Sequence, residues 1–171
     1  MGRGYTFKCK KCQNEYGVSW GIGGAFPHVY RSCLSDITAG KYGEEWKELA
    51  LSYEHIAVDA ARYLYVCKFC GNWKVEKSLS LYKAKSLDTI NDSLVERISE
   101  EYSGFAFVMP SELNDNFIFL KSYVHKCEKC GKRMRKTDIR HLQSLPCPKC
   151  GTENETKGSQ SQILCKQEIV Q

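Results

Sequence analysis

Four Cys-x-x-Cys pairs are the residues of this 171-residue chain whose type and spacing predict chemistry most directly. The tight turn between two such cysteines places both thiolates on one side of the backbone. Two turns together can complete a tetrahedral four-sulfur site, which suits zinc. We call each pair, with its two intervening residues, a hook. The hooks are CKKC at Cys9/Cys12, CKFC at Cys67/Cys70, CEKC at Cys127/Cys130 and CPKC at Cys147/Cys150.

Pairing the hooks in sequence order gives two metal sites. Sixteen residues separate the last two hooks, which lies inside the range expected for four-cysteine zinc sites, whereas 54 residues separate the first two. We therefore predict two Zn²⁺ ions per chain. The predicted ligands of one are Cys9, Cys12, Cys67 and Cys70, and those of the other are Cys127, Cys130, Cys147 and Cys150.

The residue after each hook predicts its local geometry. Gly71, Gly131 and Gly151 follow three of the hooks, and glycine permits the left-handed turn that directs backbone N–H groups at the sulfur. The first hook has Gln13 there, followed by Asn14. We expect Asn14 to supply the positive φ, because asparagine tolerates it best after glycine.

Four thiolates leave no open coordination position for water, so we predict structural sites and a protein without catalytic activity. Iron is the alternative metal, because the hooks CEKCG and CPKCG resemble those of rubredoxin, an electron carrier. Rubredoxin also shields its iron with aromatic residues, and residues 131–149 contain none. A thioredoxin-like redox role would need a hook at a helix start, whereas these hooks are predicted between strands.

Charge is unevenly distributed along the chain, whose formal net charge is +5. Residues 84–125 contain three basic and seven acidic residues, whereas residues 126–171 contain ten basic and five acidic ones. A basic ribbon can lie along a phosphate backbone. We therefore predict nucleic acid as the partner, with a protein-adaptor role through the acidic connector as the alternative. The predicted nucleic-acid contacts are Lys126, Lys129, Lys132, Arg133, Arg135 and Lys136.

Hydrophobic periodicity places most hooks between short strands. Apolar residues at helical spacing predict two helices between the first and second hooks, one from Pro27 and one over Glu44–Tyr53. A further helix is predicted over Asp88–Tyr102, and residues 103–115 are predicted to be mostly loop. The predicted strands are Tyr5–Lys8, Glu15–Trp20, Arg62–Val66, Trp73–Tyr82, Asn116–His125, Lys132–Lys136 and Ile163–Cys165.

These elements predict an α+β protein of two four-cysteine zinc β-ribbon modules. The first module covers residues 1–84 and carries the helical insertion. An acidic connector with one helix and one strand covers residues 85–125, and the C-terminal ribbon covers residues 126–171.

The chain resembles the zinc-ribbon (zinc β-ribbon) families through CEKCG and CPKCG, and through CKKC and CKFCG. It also resembles a group of uncharacterised bacterial proteins with two such ribbons, a glycine-rich insertion and a helix start like the stretch Phe26–Tyr30. The resemblance implies bound metal and a ribbon fold. It implies no particular activity, because ribbons serve nucleic-acid enzymes, transcription machinery and protein adaptors alike.

The residues outside the hooks that could bind a ligand or react give weaker predictions. The glycine-rich turn Gly21–Pro27 either binds an anion at a helix start or only connects a strand to a helix. Cys33 falls on an apolar helix face, and Cys165 is expected to pack in a strand. The beginning of the sequence has no apolar run like that of a signal peptide, and no stretch is long enough to span a membrane. We therefore expect a cytoplasmic protein with reduced thiols.

Overall fold

The computed structural model describes residues 2–53, 55–85 and 107–152, and these residues form an α+β protein with three α-helices and several antiparallel sheets. The predicted fold class is confirmed at this level. The helices are α1 (Phe26–Thr38), α2 (Glu44–Leu51) and α3 (Pro110–Asn116). The strands are β1 (Arg3–Lys8), β2 (Glu15–Trp20), β3 (Ile56–Asp59), β4 (Arg62–Val66), β5 (Trp73–Lys77), β6 (Ser80–Ala84), β7 (Phe117–Lys121) and β8 (Arg135–Thr137).

The chain divides into two compact units, each built from separated stretches of sequence. The first unit comprises the described residues within Met1–Gly24, Arg62–Lys77 and Val124–Gln171, and the second comprises those within Ala25–Ala61 and Ser78–Tyr123. The predicted division into consecutive segments at 84/85 and 125/126 does not coincide with these units. Strand pairing is the physical reason, because β4 binds β8 across a long stretch of chain.

The first unit contains a β1–β2 hairpin and a three-stranded sheet in the order β5-β4-β8. Central strand β4 pairs antiparallel with β5 on one side and with β8 on the other. A short 3₁₀ helix, Ile139–Ser144, follows β8. The core contains Leu64 of β4, which is fully buried. Around it pack side chains from the hairpin, from the 3₁₀ helix and from the residue after that helix: Phe7, Val18, Leu142 and Leu145.

The second unit packs its helices with a sheet in the order β3-β6-β7. Helix α1 buries Tyr30, Cys33, Leu34 and Ile37, the spacing that the sequence predicted. Trp46 of α2 is buried, and its indole N–H donates to the carbonyl oxygen of Leu79 at 3.0 Å.

Three elements differ from the sequence predictions. The strand predicted over Trp73–Tyr82 is two strands, β5 and β6, separated at Leu79, which has a φ of +56°. Strand β3 was not predicted. Helix α3 lies in the predicted loop 103–115 and begins at Pro110, with the Glu112 carboxylate accepting a hydrogen bond from the Met109 N–H. That cap is easily missed because methionine is not a usual N-cap residue.

The helix predicted over Asp88–Tyr102 and the strand predicted over Ile163–Cys165 lie outside the described residues.

Candidate metal centres

The first centre joins the first hook to the last one. Cys9 and Cys12 lie in the turn of the β1–β2 hairpin, and they meet Cys147 and Cys150. The Sγ atoms of Cys9 and Cys150 are 3.7 Å apart, and those of Cys12 and Cys147 are 3.8 Å apart. All four sulfurs lie within 4.8 Å of one another, so they can bind one metal ion.

The second centre joins the two middle hooks. Cys67 and Cys70 lie in the β4–β5 turn, and Cys127 and Cys130 precede β8. The Sγ atoms of Cys67 and Cys130 are 3.5 Å apart, and those of Cys70 and Cys127 are 3.6 Å apart. The buried ring of Tyr65 and the side chain of Met134 pack under this centre.

The sulfur spacing fits a tetrahedral metal rather than disulfides. A tetrahedron with metal–sulfur bonds of about 2.3 Å has edges of about 3.8 Å. A disulfide would need its sulfurs about 2.05 Å apart, and no cysteine among the described residues is in a disulfide. Each centre therefore has the spacing and ligand number of a closed four-thiolate metal site.

The predicted pairing of hooks in sequence order is wrong. All eight predicted cysteines belong to the two centres, but Cys9/Cys12 pair with Cys147/Cys150, and Cys67/Cys70 pair with Cys127/Cys130. The centres are therefore nested: the chain enters the first, completes the second, and then returns to the first.

Core packing explains the nested pairing. The β1–β2 hairpin and the 3₁₀ helix bury side chains in the same cluster as Leu64, so the first hook and the segment before the last hook share one core. In addition, the Trp73 indole N–H donates to the Pro146 carbonyl at 2.7 Å, which anchors the last hook to β5. The spacing of cysteines along the chain contains none of this information.

All four hooks have the same backbone conformation. In each hook, the carbonyl of the first cysteine accepts a hydrogen bond from the N–H of the residue four positions later, at 2.7–3.0 Å. The N–H of that same cysteine donates to the carbonyl of the residue five positions later, at 2.8–2.9 Å. The residue after the hook has a φ of +57° to +70° in every case: Gln13, Gly71, Gly131 and Gly151.

The prediction that Asn14 supplies the positive φ of the first hook is wrong. The left-handed residue of the first hook is Gln13 and not Asn14. The Gln13 side chain donates a hydrogen bond to the Lys10 carbonyl at 2.7 Å, inside the same turn. The hydrogen-bond pattern requires the left-handed residue directly after the second cysteine, so Asn14 cannot take that place.

Two thiols of the second centre have pKa values that are shifted in opposite directions. Burial raises the pKa of Cys127, but the backbone N–H groups of Cys130 and Lys129 stabilise its thiolate, and its pKa falls to about 6. The N–H of Lys132 lowers the pKa of Cys130, but burial and the neighbouring thiols together raise it to about 12.

Two thiols of the first centre likewise have pKa values that are shifted in opposite directions. The hydroxyl and N–H of Thr152 lower the pKa of Cys150 to about 6. The N–H of Asn14 lowers the pKa of Cys12, whereas burial and the neighbouring thiols raise it to about 11. Thiolates this close together cannot all ionise without a cation. Metal binding must therefore release protons, and affinity must rise as pH increases.

The six basic residues predicted to contact nucleic acid are all exposed, but they do not form one face. Arg135 and Lys136 are neighbours along β8 and so point to opposite faces of the sheet. Lys136 Nζ lies 3.1 Å from the ring centroid of Tyr63. Glu128, the one acidic residue within 126–136, is paired with Lys74 at 3.3 Å.

Sequence reasoning missed Phe69. This residue lies inside the second hook, and its side chain is 74% exposed. Lys132 Nζ lies 5.8 Å from the centroid of the ring. The available signal was its position inside a hook, since the residues between the paired cysteines are exposed in all four hooks.

The remaining candidates lie outside the two centres. His125 is buried and packs against Tyr65, with 4.0 Å between ring centroids. Cys33 is buried on α1, as predicted. Cys165 lies outside the described residues. In the glycine-rich turn, the Gly21 N–H donates to the Arg62 carbonyl at 2.9 Å.

Comparison with protein-family models, with curated proteins and with solved structures gives no match for this chain. The resemblance to zinc ribbons therefore depends on the two cysteine centres alone. Among the described residues, no helix combines the length and the apolar character that crossing a membrane requires.

Double Cys→Ser variants should reveal the nested pairing. Loss of one ligand should abolish binding at that centre in the presence of a competing chelator. We expect C12S/C147S to retain one metal ion, because both cysteines belong to one centre, and C12S/C67S to retain none. Metal analysis of the purified variants measures this. C33S is the control and should retain both ions. If C12S/C67S retained one ion and C12S/C147S none, the pairing would follow sequence order.

Gly71→Ala should destabilise the second hook by about 1 kcal/mol, because an L residue at a φ of +69° is strained even where space is open. Gly17→Ala is the control, since Gly17 has no atom near its added Cβ and no positive φ. Denaturant unfolding of the metal-loaded variants measures the difference. An equal effect of both substitutions would contradict the strain argument.

Proposed function

We propose that this is a non-catalytic protein in which two structural Zn²⁺ ions hold a ribbon-like unit that binds nucleic acid. Four thiols at tetrahedral spacing suit both zinc and iron. Zinc is favoured because the two rubredoxin-like hooks, Cys127/Cys130 and Cys147/Cys150, belong to different centres and so do not form a rubredoxin-like site. Backbone N–H groups also donate to the sulfurs, as they do in structural thiolate sites. The cytoplasm is the expected compartment because it keeps such thiols reduced.

Structural rather than catalytic zinc is supported by the closed ligand set. A catalytic zinc ion keeps one position for water or substrate, whereas four cysteines fill a tetrahedron. The first cysteine of every hook is also buried: Cys9, Cys67, Cys127 and Cys147. Bound metal would therefore contribute folding free energy to the first unit.

The observation that carries the nucleic-acid proposal is the aromatic ring of Phe69 exposed beside Lys132. Exposed aromatic rings next to cations allow a protein to stack on bases and contact phosphates together. The neighbouring segment 126–136 provides six exposed cations, and its one carboxylate is neutralised by Lys74. This local excess of positive charge matches a polyanion.

Part of the positive charge has a simpler role. Four thiolates around one Zn²⁺ have a net charge of −2. Every hook contains at least one lysine between its cysteines, which offsets that charge: Lys10, Lys11, Lys68, Lys129 and Lys149. The cations of 132–136 lie outside the hooks, so they are the better candidates for phosphate contacts.

A protein-adaptor role is the second candidate. Within the described residues, β7 lies at the edge of its sheet, and its Ile118 and Phe119 side chains are 43% and 53% exposed. An exposed apolar edge strand can accept a strand from a partner. Absence of nucleic-acid binding would favour this role.

Metal analysis tests the zinc proposal. We expect two zinc ions per chain in protein purified without added metal, and a colourless solution, because Zn²⁺ has a filled d shell. Strong visible absorbance from thiolate-to-iron bands would instead support the rubredoxin-like electron carrier. A content of one metal ion per chain would contradict the two centres.

Salt dependence tests the nucleic-acid proposal. Affinity should fall linearly with salt on logarithmic axes, with a slope of about −0.7 per neutralised phosphate on single strands. The variant K132A/R133A/R135A should bind more weakly to unrelated sequences alike, with a slope smaller in magnitude by about 2. Gel-shift or filter-binding assays measure both quantities, and both zinc ions should remain bound.

The matched control for this variant is K41A/K47A/K83A, which removes the same charge from the second unit and should change binding little. Equal weakening by both triple variants would show that only net charge matters. If the intact protein failed to bind at micromolar concentration in 50 mM salt, the nucleic-acid proposal would be rejected.

A further inference from the structure

A cleft of about 610 Å³ lies within the first unit, and none of the eight metal-site cysteines lines it. Such a volume is typical of small-molecule sites, which span about 300–1,000 Å³. Strands β1, β2, β4 and β8 and the 3₁₀ helix contribute to its walls. Its polar and aromatic lining includes Arg3, Tyr5, Trp20, Tyr63, Lys136 and Arg140.

Three aromatic side chains of the lining are only partly buried: Tyr5, Trp20 and Tyr63. A fourth ring, Phe7, is buried in the hydrophobic core. Tyr5 and Tyr63 also pack against the hydrophobic clusters of the unit, so packing holds these two rings in place while one surface of each remains accessible. The cleft therefore offers preformed flat apolar surfaces to a planar ligand.

The cations of the cleft outnumber its acids. Arg3, Lys136 and Arg140 contribute positive charge, and Asp138 is the one acidic lining residue. Arg140 Nη2 donates to the Asp138 carboxylate at 2.6 Å, so this pair is neutral as a whole and the excess positive charge comes from Arg3 and Lys136. Lys136 Nζ rests on the Tyr63 ring, and the flexible lysine chain can turn from the ring to a ligand phosphate. Positive charge beside flat rings matches a ligand in which planar bases alternate with phosphates.

We propose that this cleft binds unpaired bases of single-stranded nucleic acid, which stack on Tyr5, Trp20 and Tyr63 while flanking phosphates contact Arg3 and Lys136. A duplex hides its base faces in its own stack, so it cannot use these rings. Lys136 belongs both to the cleft and to the basic segment 126–136, so it is the cation that the cleft shares with that segment. This inference rests on the proposed nucleic-acid function and names its substrate class.

Three oligonucleotides of equal length test the proposal: a normal single strand, an abasic single strand and a duplex. The abasic strand keeps the phosphates and lacks the rings. We expect the normal strand to bind zinc-loaded protein about tenfold or more tighter than the abasic strand, as one to two stacked bases would give. Equal binding of normal and abasic strands would overturn the cleft proposal and leave the proposed function intact. No binding of any of the three would overturn both.

Point variants assign the effect to the cleft. Tyr63→Ala should reduce the affinity for the normal strand to that for the abasic strand, whereas Tyr63→Phe should retain the difference. Tyr53→Ala is the matched control, because Tyr53 is a partly exposed tyrosine of the second unit with Lys83 Nζ 5.0 Å from its ring centroid. Trp20→Ala provides a second variant if Tyr63→Ala loses zinc or fails to fold. An unchanged preference for normal strands in both Tyr63→Ala and Trp20→Ala would overturn the assignment.

Discussion

The meeting of cysteine thiols from distant parts of the chain is the constraint on which the first unit depends. Cys9 meets Cys150 across 141 positions of sequence, with their sulfurs 3.7 Å apart. Four thiols within 4.8 Å cannot all be ionised together without a cation, and burial increases that conflict. A bound divalent metal removes it. Each centre then acts as a cross-link that closes a long loop, which restricts the unfolded chain as well as stabilising the folded one.

The core of the first unit packs beside these two centres. The β4 strand is central: Leu64 is fully buried beside the hairpin of the first centre, and Tyr65 packs under the second centre. The turns of the second centre have exposed side chains: Phe69 lies inside one hook, and Lys132 lies two residues after the next. Binding groups on such a frame lose little conformational entropy when they meet a ligand. A small loss of conformational entropy on binding is consistent with the binding role proposed above.

Local features of this fold could be predicted from sequence, and long-range ones could not. The hook turns followed from Gly71 and its equivalents because the left-handed conformation is a property of a few adjacent residues. The buried face of α1 followed from helical spacing around Cys33. The pairing of hooks did not follow, because it depends on which strands share the core of Leu64. The cleft beside Tyr63 likewise depends on tertiary packing.

The most direct test of the nested centres is cadmium-113 NMR of protein in which both metals are replaced by cadmium. Scalar couplings from each cadmium nucleus to cysteine β-protons identify its ligands. We expect two cadmium signals, each coupled to the cysteines of one centre. One signal should couple to Cys9, Cys12, Cys147 and Cys150, and the other to Cys67, Cys70, Cys127 and Cys130. A signal that couples to Cys9 and Cys67 together would contradict it.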